Sequence, residues 1–237
     1  MTEAIVAVTD YIVAIEAAVF IAFLMRARPT PQRLSIWIAI FFASVSAASF
    51  FGGTVHGFFP AADSQGYGLL WPATLLAMGL TALSMWAMGA ELVFSGSVRR
   101  CIVAAAVAEY VLYTAIVVLR TQEFWIGIAD NLPAILFLIF SITLVWRRTR
   151  LWSSLLAAIA PAVVLVAAAL QALRIGLHPV YFNYNVLYHA LQAIALAMFL
   201  PGALRLFESD ATANDRQDRT TGRTALDEEQ QAVAIDR

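Results

Sequence analysis

The sequence predicts an all-α fold: an integral membrane bundle of seven transmembrane helices, with the N-terminus outside and the C-terminus cytoplasmic. Three observations predict it. First, hydrophobic residues make up 61% of the 237-residue chain and charged residues 13%, where a soluble domain carries about 25% charged residues. Second, seven stretches are long and apolar enough to cross a bilayer, a crossing that takes about 20 mostly apolar residues. Third, the arginines fall in alternate connections, as the positive-inside rule requires. The formal net charge of −1 gives no electrostatic footprint for nucleic acid.

The spans fall at about 4–25, 34–58, 68–94, 99–119, 124–146, 152–173 and 181–206. The first carries Glu3 and no positive charge at its leading end, lacks a small-x-small cleavage site and is followed by arginines. It is therefore read as a retained span and not a cleaved signal peptide. Arg26, Arg28 and Arg33 flank the connection after it. Arg99 and Arg100 follow the third span, and Arg147, Arg148 and Arg150 the fifth. The alternate connections hold only Arg120 and Arg174. This bias places the odd-numbered connections inside the cell, in the inner (cell) membrane. Trp71 and Trp125 then fall at the outer interface, and Trp37, Trp146 and Trp152 at the inner one, where amphipathic rings settle.

The second span is rich in small residues, and its Gly53 and Gly57 form a GxxxG spacing that permits close backbone approach. Pro72 is expected in the first turn of the third helix, where its missing N–H is harmless. Pro133 and Pro161 lie inside the fifth and sixth helices and predict kinks. Residues 1–207 form the membrane domain. From Glu208 to Arg237 the sequence is polar, mixed in charge and free of aromatics. Such a composition predicts a disordered cytoplasmic tail. The single cysteine, Cys101, excludes an internal disulfide and reads as a buried packing residue. Lysine is absent, so a retinal Schiff base cannot form and retinal is excluded as a cofactor. The sequence shows no internal repeat of the kind found in many transporters.

Ionisable and amide side chains inside spans are costly and mark candidate sites. Here they crowd toward one face. Asp10 lies in the first span, His56 ends the second, Asp130 and Asn131 lie in the fifth, and Gln171 and Arg174 close the sixth. Asn185, His189 and Gln192 line one side of the seventh, with Tyr113 at similar depth in the fourth. Asn185 and His189 are four residues apart and share a helix face. Asp63 lies in the loop after the second span and His178 beside Pro179 before the seventh. The inner half has little beyond Glu91. The bias predicts a polar cavity open to the extracytoplasmic face and lined by Asp10, Asp130, Asn131, Asn185, Gln192 and Tyr113. His56, His189 and His178, or one of the aspartates, supply a ligand count suited to zinc. No HxxxH or HExxH fixes two of them by helical spacing.

Seven helices, a histidine ending the second and a histidine early in the seventh within NVLYHALQAIAL resemble the CREST superfamily. Its members include alkaline ceramidases and progestin/adiponectin receptor-type proteins. The resemblance implies a zinc-dependent hydrolase of lipid amides or esters, with membrane lipid as its partner. In that pattern zinc is held by one histidine of the second helix and two of the seventh. A serine in the second helix and an aspartate near the start of the third assist. His56 matches the first ligand and His189 one of the other two. Asn185 or Ala193 stands at the remaining position. The serine position, one turn before His56, is Gly52, with Ser49 almost two turns back on a similar face; Asp63 is the candidate aspartate. The alternative is a catalytically silent member that binds a lipid or small polar ligand as a sensor. A transporter ranks last, because a path needs polar residues at both faces.

Overall fold

The structure, a computed structural model, describes residues 2–27 and 33–205. The predicted tail from Glu208 and the loop residue Arg28 lie outside the described residues. Seven helices follow in order: α1 (Thr2–Ala27), α2 (Arg33–Phe58), α3 (Gln65–Val93), α4 (Gly96–Leu119), α5 (Phe124–Thr149), α6 (Trp152–Ala172) and α7 (Tyr184–Arg205). All are long and apolar enough to span a bilayer, and no strand occurs among the described residues. The chain is a multi-pass membrane protein.

Helix starts are set by capping chemistry. The Ser64 side chain accepts the Tyr67 backbone N–H, so α3 begins at Gln65. This corrects the placement of Pro72. It lies inside α3, well past the first turn, and leaves one helical carbonyl without its usual donor. Asn183 Oδ1 accepts the N–H groups of Asn185 and Val186 and so caps α7. The segment before it turns tightly, with Leu177 and His178 N–H groups both on the Phe182 carbonyl.

Packing centres on α1, α2 and α3. Gly53 lets α1 cross close to α2: a Cβ there would meet Asp10 Cβ at 2.8 Å and the Ala7 carbonyl at 3.2 Å. The expected close approach at the GxxxG is therefore made against α1. Hydrogen bonds secure the same crossing, from Ser46 Oγ to the Ala14 carbonyl (2.8 Å) and between Tyr11 and Thr54 hydroxyls (2.9 Å). Such bonds matter in hydrocarbon, where water does not compete for the groups. Phe41, Phe42 and Phe199 cluster where α2 meets α7. Gly202 admits Ala157 of α6; a Cβ there would collide with Ala157 Cβ. α4 packs against α3 and exposes Val111 and Leu112 on the outside of the bundle, the surface that lipid covers. Cys101, near the start of α4, is exposed on that peripheral helix and is not a packing residue.

Candidate polar chamber beneath the N-terminal face

The early turns of α1, α3, α5 and α7 and the last turns of α2 and α6 meet at the face of the bundle that carries the N-terminus. Between them lies a cavity of about 410 Å³. Asp10, Ser49, Gly52, His56, Thr74, Gln171, Arg174, Tyr184, Asn185, Tyr188, His189 and Gln192 line it, with Trp71 and several apolar residues. A second cavity of about 350 Å³ lies among α2, α3, α5, α6 and α7. Its walls are mainly apolar, including Phe41, Val45, Leu132, Leu138, Val164, Leu196 and Phe199. Ala48, Met78, Phe124, Ile128, Gln171, Ala172, Tyr188 and Gln192 line both. The two chambers adjoin across these shared wall residues, and each falls in the size range of small-molecule sites, roughly 300–1,000 Å³.

His189 is held at both ring nitrogens. Nε2 lies 3.1 Å from Asp10 Oδ1, and Nδ1 lies 2.9 Å from the Thr9 hydroxyl, which is itself 2.8 Å from the Val6 carbonyl. The pair is buried, with side-chain exposures of 10% and 7%. Two proton arrangements satisfy the Thr9 distances. In one, Thr9 donates to Nδ1; in the other, Nδ1–H donates to Thr9, whose hydroxyl donates to Val6. Nε2 faces the Asp10 carboxylate at ion-pair distance. Gly52 brings the α2 backbone close to this carboxylate; a Cβ there would sit 3.9 Å from both Asp10 oxygens.

His56 uses Nδ1 to meet Glu3 Oε2 at 2.7 Å, nearer the surface. Its Nε2 has no partner among the described residues. Gln171 Nε2 donates to Asn185 Oδ1 at 3.0 Å, which leaves the Asn185 NH₂ as a donor. Ser49 is buried in the α2 wall. The structure thus brings together Asp10, Ser49, His56, Asn185, His189 and Gln192 from the sequence reading.

It does not bring in the rest. Asp63 is exposed in the loop between α2 and α3 and lines neither chamber. His178 is exposed; its Nδ1 accepts the N–H groups of Val180 and Tyr181 and so serves the turn before α7. Asn131 lines the apolar chamber, where its amide donates to the Met78 and Gly127 carbonyls. Tyr113 is buried behind α3, with its hydroxyl on the Leu75 carbonyl at 2.9 Å. Asp130 lines neither chamber, and its buried Oδ2 has no partner among the described residues. It pairs with neither Arg120 nor Arg174.

Nor do the histidines assemble a zinc set. His189 has both nitrogens occupied by side chains, His56 has one free, and His178 is elsewhere. Among the described residues, no group of three or more His, Cys, Asp or Glu side chains is arranged to hold a metal ion. Sequence reasoning missed Thr9 and Glu3, the partners of the two histidines, and Thr74 in the cavity wall. Their signal is weak: a threonine or a terminal glutamate carries no mark of its neighbour across the bundle.

No curated protein and no solved structure matches the chain significantly. A family match covers residues 5–207, which take in almost all of the seven helices and every residue that lines the two chambers. By that match the chain belongs to DUF6962, a family of unknown function.

Proposed function

We propose that this protein binds an amphiphile, with the head group in the polar chamber and the hydrocarbon chain in the apolar one, as a sensor or carrier-type membrane protein. One observation carries the reading: a polar and an apolar chamber lie side by side and share wall residues inside a bundle that lipid surrounds. A purely polar ligand would leave the apolar half unmatched, and a purely apolar one would strand the donors around Asn185 and His56. The arginine bias supports a head-group chamber on the extracytoplasmic side of the cell membrane.

Ala168 lines only the apolar chamber. Ala168→Trp is expected to fill it and abolish the thermal shift that a single-chain amphiphile gives the wild-type protein, without loss of fold by size-exclusion chromatography. An unchanged shift in a well-folded Ala168→Trp protein sinks the reading.

A second reading, the zinc-dependent lipid hydrolase that the resemblance implies, has one observation in its favour. His56, His189, Ser49 and Asp10 line the same chamber. A zinc on His189 requires Thr9 to give up its hydrogen bond to Nδ1 or Asp10 to move away from Nε2. Metal analysis of the purified protein separates the two readings. One zinc per chain, lost in His56→Ala and in His189→Ala, with turnover of a labelled ceramide or related lipid, establishes the hydrolase. A folded, metal-free protein that shifts with ligand and turns nothing over establishes the binder.

A further inference from the structure

We propose that the polar chamber selects an anionic head group, a phosphate or carboxylate on a lipid, and that Arg174 is the residue that reads its charge. This deepens the amphiphile reading and rests on it.

The charges of the chamber wall do not balance. Asp10 is matched by His189 at 3.1 Å and His56 by Glu3 at 2.7 Å. Arg174 lines the same chamber and forms no ion pair among the described residues. It is exposed, at the chamber's mouth, one residue past the C-cap of α6. Its backbone is in the left-handed region, with φ of 56°, as a residue just past a helix end commonly is.

The neighbouring groups are donors as well. The Asn185 NH₂ remains after its oxygen takes Gln171, and His56 Nε2 is unpartnered. A guanidinium presents a planar fork of N–H groups that fits two oxygens of a phosphate or carboxylate. An anion with several acceptor oxygens satisfies the guanidinium and the amide together. A neutral head group leaves the arginine's charge unmatched. Because the polar chamber adjoins the apolar one, the anion is assigned to a lipid and not to a free ion.

The test uses the full chain in detergent and native mass spectrometry. The probes are lysophosphatidic acid and an uncharged monoacylglycerol with the same acyl chain, plus inorganic phosphate. The wild type is expected to prefer lysophosphatidic acid by about tenfold, the scale of one hydrogen bond to a charged group. Arg174→Gln is expected to equalise the two lipids while still binding the monoacylglycerol. Ala168→Trp is expected to lose both, and inorganic phosphate is expected not to compete.

Each contrary result has its own meaning. A preference that survives Arg174→Gln overturns the charge-reading role and leaves amphiphile binding intact. A preference that survives Ala168→Trp makes Arg174 an interfacial anchor outside the cavity and overturns the inference. Competition by inorganic phosphate at comparable concentration assigns the site to a free anion and overturns the lipid source. Failure of wild-type protein to bind either lipid overturns the amphiphile reading itself.

Discussion

Two histidine–carboxylate pairs stand at the same end of this bundle, and they differ in a way that distance alone conceals. His56–Glu3 is the shorter, at 2.7 Å, and His189–Asp10 the longer, at 3.1 Å. The shorter pair has side chains 29% and 55% exposed; the longer has 10% and 7%. An exposed pair is screened by solvent and holds two mobile side chains in one geometry, so it contributes little. A buried pair gains little over an apolar replacement, but removal of one partner leaves the other stranded. The inner pair ties α7 to α1, and the outer ties α2 to the first turn of α1. Only the inner one is expected to be structural.

The largest expected effect follows from that asymmetry. Asp10→Ala removes the carboxylate from a buried imidazole and is expected to cost about 3–5 kcal/mol. The midpoint of thermal unfolding in detergent reads it. The double replacement Asp10→Leu with His189→Leu is expected to recover most of the loss, because it leaves no stranded polar group. If Asp10→Ala unfolds no earlier than Glu3→Ala, burial is not what separates the two pairs.

Gly53 gives the next effect. The α1–α2 crossing that seats Asp10 has no room for a methyl group at this position, since the added atom would lie 2.8 Å from Asp10 Cβ. Gly53→Ala is expected to cost about 1–3 kcal/mol through overpacking. It also pushes Asp10 away from His189, so its effect and that of Asp10→Ala are expected to be less than additive in the combined variant. Full additivity would show that the crossing and the inner pair are independent.

These two pairs also show how far the sequence could be read. All seven helices were legible, because a bilayer demands long apolar segments and tolerates few exceptions. Asp10, His56, Asn185, His189 and Gln192 were legible as chamber residues because polar side chains at membrane depth are costly wherever they occur. Their partners were not. Thr9 and Glu3 reach histidines 180 and 53 positions away through the rotation of α1 against its neighbours, which hydropathy does not encode. Asp63 and His178 were read as loop residues, and the structure keeps them there; ligand chemistry was assigned to them by residue type, while neither loop residue lines a chamber and His178 serves the turn before α7. Tyr113 and Asp130 share the depth of the chamber, but α3 stands between it and Tyr113 on α4, and Asp130 lies on a face of α5 that lines neither chamber; depth alone reveals neither.

The smallest expected effect sharpens the comparison most. Glu3→Gln keeps a hydrogen-bonding side chain in place and removes only the charge beside His56. Its expected cost is about 1 kcal/mol or less. Added salt is expected to shrink even that difference, since exposed charges are screened over roughly 8–10 Å at moderate ionic strength. The same salt series is expected to leave Asp10→Ala unchanged, because ions do not reach the inner pair. Unfolding midpoints of the two variants at low and high salt therefore test burial directly. Equal salt sensitivity in both would mean that water and ions reach His189 and that the chamber is open to bulk solvent along its full depth. Salt sensitivity confined to Glu3→Gln is the result expected of a chamber whose mouth is wet and whose floor is closed by α1 and α7.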